Sequence, residues 1–243
     1  MSTLTLYQFE LCPYCHKVKA GLELKGIPYR KVEVNPMSKH ELAKVGPNPD
    51  GKKKVPVIEF KGDVVRESSD ILRWLDAAHP GSRPLLPDDA QSQTLANEID
   101  TWVNEDLTQI LPTVLYGTWS ESIKAAKLTV KTSNFSRADN IKVSIFGSVI
   151  MKLIAKRILK KRGNGQSGEQ LLSRELDRLE EWLGEKPYLC GDTVTLADAS
   201  AHGALTCVKE FPAFKFVLSR PKLKSWYERV AEQRLPVASH NLN

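Results

Sequence analysis

Leu4-Thr5-Leu6-Tyr7-Gln8-Phe9-Glu10-Leu11-Cys12-Pro13-Tyr14-Cys15-His16 is a strand-like run that passes directly into a helix-like one, with two cysteines at the junction. The pattern predicts a strand over 3–9 and a helix from about Pro13 to Leu24. Two cysteines two residues apart at such a junction form a redox-active thiol pair. Cys12 then sits at a helix N-terminus, where unpaired backbone N–H groups and the helix dipole favour negative charge. A thiol placed there ionises more readily than free cysteine, and the thiolate is the reactive form.

Three other readings of the pair exist. A metal site needs about four ligands; Cys190 and Cys207 are singletons without CxxC spacing, so no metal is expected. Cys12 to His16 also fits the C-x-x-C-H pattern of haem attachment, with His16 as the iron ligand. That chemistry needs an export signal, and the opening Met-Ser-Thr-Leu-Thr carries none. A plain structural disulfide would be strained across so short a loop, and nothing else indicates an oxidising compartment.

Working outward, strands are expected at Tyr29–Val34, at Val55–Phe60 and at Asp63–Arg66, the last two joined by a Lys61-Gly62 turn. A short helix is expected over Ser38–Lys44, and a longer one starts at Ser68 or Ser69. The order β-α-β-α-β-β-α is that of a thioredoxin-like domain. The proline- and glycine-rich run His79 to Asp89 then reads as a linker. Beyond it only helical spacing recurs: Leu95, Ile99, Trp102, Val103 and Leu107; the stripe from Ile145/Phe146 to Ile158 within Asn140–Lys161; Leu171 to Leu183; Thr195–Val208; and Leu223–Val230. The expected division is therefore residues 1–78, a linker at 79–90 and an all-helical part at 91–236.

The 243 residues are 41% hydrophobic and 26% charged, ordinary values for a globular protein with a sizeable core. Four cysteines point to a reducing compartment, and a cytoplasmic location is expected. No stretch of about 18 apolar residues predicts a membrane span. The net charge of +6 suits anionic ligands, but no motif indicates nucleic acid.

Two further stretches bear on chemistry. Pro56 after Val55 suits a strand entry or edge; in thioredoxin-like folds a cis proline at this place stands beside the thiol pair and frees the preceding N–H and C=O to pair with an extended peptide. Glu67-Ser68 lies before the third helix. Either Ser68 or Ser69 can serve there as an N-cap, or the hydroxyl and helix N–H groups can take a carboxylate while Glu67 faces an ammonium. A thiol pair, a strand-presenting proline and an amino-acid clamp together describe a slot for an extended thiol tripeptide, which is glutathione.

On Cys12-Pro13-Tyr14-Cys15, Val55-Pro56, Glu67-Ser68 and Thr195-Leu196-Ala197-Asp198, the chain resembles the glutathione transferase superfamily with a glutaredoxin-type site. A closer likeness, through Leu6-Tyr7-Gln8-Phe9, Val32–Pro36 and Ala155-Lys156-Arg157, is to a membrane-associated branch that isomerises prostaglandin endoperoxides. The resemblance implies a thioredoxin-like domain followed by a helical bundle, with glutathione as substrate or cosubstrate. It implies a glutathione-dependent enzyme, with Cys12 and Cys15 catalytic and Pro13, Tyr14, Lys54, Val55, Pro56, Glu67 and Ser68 holding the tripeptide. Thiol–disulfide transfer is the leading activity; isomerisation or conjugation is the alternative, and a non-enzymatic glutathione-, haem- or membrane-binding module is the other class. The branch's anchor segment is expected to be absent, so that the resemblance does not imply membrane attachment, and no histidine lies between His79 and His202 to assist a haem. A homodimer is a further implication. Thr195 and Asp198 have a structural part, capping a helix.

The remaining candidates have plainer readings. Tyr7 reads as a packed strand aromatic rather than a thiol activator, and Lys52-Lys53-Lys54 as a solvated loop or an attractor for the glycine carboxylate. His16 reads as a solvated surface side chain or a cation beside the thiol. Cys190 and Cys207 read as packing residues. Lys152, Lys156, Arg157 and Lys160–Arg162 ride beside the apolar stripe, as the wet face of a packed helix, as a peripheral membrane contact or as a basic wall of the substrate cleft. The second substrate is expected against the Trp102–Tyr116 helix.

Overall fold

Strand β1 (Leu4–Gln8) is buried along its whole length and divides the core by its alternation. Leu4 and Leu6 enter one face, with Val18, Leu22, Ile71 and Leu72. Tyr7 enters the other, with Val34, Leu42, Val45 and Val57. The computed structural model describes residues 3–132, 135, 140, 143–235 and 239–241. Helix α1 (Pro13–Leu24) carries the chain to β2 (Tyr29–Glu33), parallel to β1. Strands β3 (Val57–Phe60) and β4 (Asp63–Arg66) follow antiparallel, and α2 (Ser68–Ala78) closes the sheet part. A short strand β5 (Ser239–Asn241) lies parallel to β2, giving the order β4-β3-β1-β2-β5. Sequence patterning did not indicate β5.

Three expected boundaries shift. The Ser38–Lys44 helix is only a 3-10 turn, His40–Ala43, entered through Lys39 at φ 50°. Val55 and Pro56 precede β3 rather than open it. Neither Ser68 nor Ser69 caps α2: Glu67 holds the cap position, at φ 60°, without a side-chain capping bond.

The stretch between α2 and α3 (Ala90–Trp102) is pinned. Asp76 accepts from the Leu85 N–H at 3.0 Å, the Leu86 N–H at 2.7 Å and Lys25 Nζ at 2.6 Å. The expected Trp102–Tyr116 helix is broken into a π-helical stretch, Val103–Leu107, and two short turns, Thr108–Ile110 and Pro112–Leu115. Pro112 supplies no N–H to continue the ladder. Helix α4 (Trp119–Thr132) went unpredicted because its inward face is Ser122, Ala125, Ala126 and Thr129, which large-apolar spacing misses.

Helix α5 (Ser148–Arg162) follows a second π-helical stretch, Val143–Gly147. Residues 141–142 and the Ile145 side chain, part of the expected 140–161 stripe, lie outside the described residues. The described stripe does not pack inward: Ala155 is the one buried residue of α5, and Phe146, Val149, Ile150, Leu153 and Ile154 are exposed. Helix α6 (Gly168–Leu183) opens on a Ser167/Gln170 capping box. Helices α7 (Leu196–Thr206) and α8 (Pro221–Gln233) complete the bundle. Asp198 reaches back to the Thr195 N–H at 2.9 Å and also accepts from Leu189 N–H and Trp226 Nε1, so its role is structural. Among the described residues, no helix is long and apolar enough to cross a membrane.

Candidate active site

Pro13 begins α1, and its ring suits a position where an N–H would be unpaired anyway. That leaves Cys12 at the cap position, half-buried, with φ −98° and ψ 113°. Its thiol makes a long contact, 3.9 Å, with the Val55 carbonyl. The Cys12 thiol is held below its ordinary pKa. The Cys15 thiol donates to it, the Cys15 and Tyr14 amides point toward it and Lys19 adds charge; together these outweigh desolvation. Cys15 is fully buried, and burial followed by the neighbouring sulfur pushes its thiol well up. The two sulfurs are therefore split into one held toward its anionic form on a half-buried residue and one kept neutral and fully covered.

Residues in contact with Cys12, Val55 and Phe9, line two separate cavities. On one side a cleft of about 540 Å³ is lined by Tyr14, Asn48, Lys54, Val55, Pro56, Glu67, Ser68, Ser69 and Asn104. Six of the residues expected to hold the tripeptide, Tyr14, Lys54, Val55, Pro56, Glu67 and Ser68, thus meet in one place; Pro13 does not line it. The Val55-Pro56 peptide bond is cis. Glu67 is fixed by Asn48 Nδ2 at 3.0 Å, with Lys54 Nζ at 3.9 Å. Ser68 is buried, and it and Ser69, the first two residues of α2, line the cleft at the helix N-terminus. Lys52 and Lys53 stay outside it, exposed.

Sequence reasoning missed Asn48, Ser69 and Asn104. Nothing in Pro47-Asn48-Pro49 marks a side chain that braces a carboxylate nineteen positions on. Asn104 belongs to the π-helical stretch, donates to Ser69 Oγ at 2.9 Å and accepts from Lys17 Nζ at 2.5 Å. Its carbonyl accepts from the Tyr14 hydroxyl at 3.1 Å. Thr108 and Gln109 donate to the same hydroxyl, at 2.9 and 2.7 Å. Tyr14 is thus a bolt between the two parts as well as a cleft wall.

On the other side, the Cys12 N–H donates to the Phe9 carbonyl at 3.0 Å. The Phe9 side chain lines a second, apolar chamber of about 630 Å³ with Tyr116, Thr129, Val143, Ile150 and Met151. Tyr116 alone comes from the predicted Trp102–Tyr116 segment; half of the wall comes from the π-helical stretch Val143–Gly147 and α5, and α4 gives only Thr129. Thr129 is buried there with its hydroxyl unpartnered among the described residues.

Other candidates resolve plainly. Tyr7 donates to Glu59 at 3.0 Å on the far face of the sheet and is pushed up to about 12 by burial, so it does not reach the thiol. His16 is neither solvated nor a cation. Burial lowers it to about 3, and its Nε2 bonds the Glu10 carbonyl at 2.8 Å. His202 is buried against Tyr227, rings stacked 4.1 Å apart. Both rings are buried and packed, so neither presents a nitrogen to a haem, and these residues do not fit one. Among the described residues no cluster could hold a metal. A groove of about 690 Å³ at Arg83–Ser92 and Tyr188–Thr195 is larger than the cleft, but its cysteine, Cys190, is pushed up to about 11 by burial.

The glutathione S-transferase N-terminal domain family matches residues 6–83, and the C-terminal domain family matches residues 146–234. Prostaglandin E synthase 2 of Danio rerio is 24% identical over 93% of the chain and 70% of its own length. The Mus musculus protein of that name is 24% identical over 98% and 72%. Among solved structures, glutathione transferase GSTFuA3 from Phanerochaete chrysosporium superposes with a TM-score of 0.69, at 18% identity, covering 97% of this chain and 99% of its own. With both halves of one family matched in order on a thioredoxin-like sheet domain and a helical domain, the chain belongs to the glutathione S-transferase superfamily.

Proposed function

We propose that the protein is a glutathione-dependent thiol–disulfide transferase with the Cys12 thiolate as nucleophile. The observation that carries this reading is the asymmetry of the sulfurs: an acidified thiol at a helix N-terminus, backed by a buried neutral one, beside a cleft with an amino-acid clamp. Val55 offers its carbonyl to the peptide backbone. Glu67 faces the γ-glutamyl ammonium, while Ser68 and the α2 N-terminus receive its carboxylate. Lys54 faces the glycine carboxylate.

In the first step Cys12 S⁻ attacks the glutathione sulfur of a mixed disulfide; the Cys12–S–S–glutathione bond forms and the substrate leaves as its thiolate. A second glutathione thiolate then attacks the bound glutathione sulfur, releasing glutathione disulfide and restoring Cys12. Alternatively, the Cys15 thiol loses its proton and displaces glutathione thiolate, closing a Cys12–Cys15 disulfide. The apolar chamber takes the second substrate.

That chamber, together with the likeness to the two prostaglandin E synthase 2 proteins, favours a second reading, isomerisation of an apolar peroxide or conjugation by glutathione's own thiolate. Mass spectrometry after exposure to glutathione disulfide decides between them. A glutathione adduct should accumulate in Cys15→Ser and be absent in Cys12→Ser, with disulfide-exchange turnover falling at least a hundredfold in Cys12→Ser. Turnover surviving in Cys12→Ser would leave the second reading.

A further inference from the structure

Helix α5 presents an unusual outer face. Its sequence holds Lys152, Lys156, Arg157, Lys160, Lys161 and Arg162 and no acidic residue. Lys152 bonds the Gly117 carbonyl and Arg162 that of Glu105. Lys156, Arg157, Lys160 and Lys161 meet no carboxylate among the described residues and are exposed. Ahead of them, Phe146 is 59% exposed, Ile150 56%, Leu153 59% and Ile154 42%. The outward surface is thus apolar over the first turns and cationic over the last. Met37, 58% exposed on the loop after β2, extends the apolar end onto the sheet domain.

The patch is also the rim of the apolar chamber. Met37, Phe146, Ile150 and Ile154 line the chamber and lie open to the outside. An occupant must therefore answer exposed apolar side chains and unneutralised cations side by side. A second copy does so poorly, because pairing two α5 faces gathers eight cations without an acid between them, on chains that each carry +6. A bilayer with anionic headgroups does both, taking apolar side chains below the phosphates and cations among them.

We propose that α5 docks on an anionic membrane surface, apolar end inserted, so that the chamber opens into lipid and draws a lipophilic substrate from it. Docking does not depend on the cysteine chemistry, and its test leaves that chemistry aside.

The full chain should sediment with phosphatidylcholine vesicles containing about a third phosphatidylserine, and be released by about 0.5 M salt. Lys160→Glu with Lys161→Glu should weaken this binding about 25-fold or more. Leu153→Asp, fully outside the chamber wall, should weaken it about tenfold with an unchanged melting temperature. In bicelles carrying a doxyl-labelled lipid, the methyl signals of Met37 at the rim and Met151 inside should broaden. Absence of binding at low salt, binding indifferent to Leu153→Asp, or unbroadened methionine signals would each overturn the proposal. So would a dimer that forms without vesicles and is lost in Leu153→Asp, which would make the face a contact between copies.

Discussion

Cys12 and Cys15 carry the same atom and differ only in what surrounds it. Cys12 has donors directed at its sulfur; Cys15 has none to match the cost of its burial. Alkylation of Cys12 by iodoacetamide should therefore rise with pH about a midpoint below the ~8.5 of a free thiol. Peptide mapping of the labelled protein reads this midpoint, and one at or above 8.5 would remove the basis for a thiolate nucleophile. The linked stability has a definite sign. A depressed thiol pKa contributes stability above the unfolded value and loses it as pH falls through the folded one. His16 shows how far context overrides residue type. Next to the pair, it reads as a pH-sensitive cation, yet burial keeps it neutral down to about pH 3, with its proton on Nε2 for the Glu10 carbonyl.

Two helices decide where the site stands. α1 lies along α7 so closely that a Cβ on Gly203 would come within 2.6 Å of the His16 carbonyl oxygen and of Lys17 Cα. Backbone lines both sides of that contact, so it cannot yield as a side chain would. Gly203→Ala should cost about 1–3 kcal/mol, lowering the melting temperature by roughly 3–10 °C. It should also reduce turnover, because α1 carries Cys12 at its tip. An unchanged melting temperature would mean that the helices separate without penalty. α5 teaches the opposite lesson. Its periodicity was legible, but the stripe that should pack inward faces outward, because Ala155 is what fits against the bundle.

At the scale of the molecule, the sheet and helical parts meet through a buried polar knot. Lys17, on the same helix as the cysteines and fully covered, bonds Asp100 at 2.7 Å and Asn104 at 2.5 Å; Ser200 donates to Asp100 at 2.5 Å. Burial lowers the Lys17 pKa, while Lys17 holds Asp100 low against the same burial. Asp100→Ala leaves a covered ammonium without its anion and should destabilise by about 3–5 kcal/mol. Lys17→Met added to it should restore most of the loss. Urea unfolding of the two variants checks this; simple additivity would show that the knot does not act as a unit.

The sheet domain and the thiol pair were readable because strand alternation, proline, glycine and CxxC spacing are local signals. The cleft lining was half readable: Glu67 and Ser68 adjoin in sequence, whereas Asn48 and Asn104 reach the cleft only through the packing of distant segments. α4 escaped because alanine, serine and threonine bury without an apolar signature. The chain alone determined the order of the main sheet-domain elements and which sulfur heads a helix. Only the tertiary structure decided that Cys15 is covered, that His16 is neutral and which way α5 faces, because burial depends on neighbours far away in the chain.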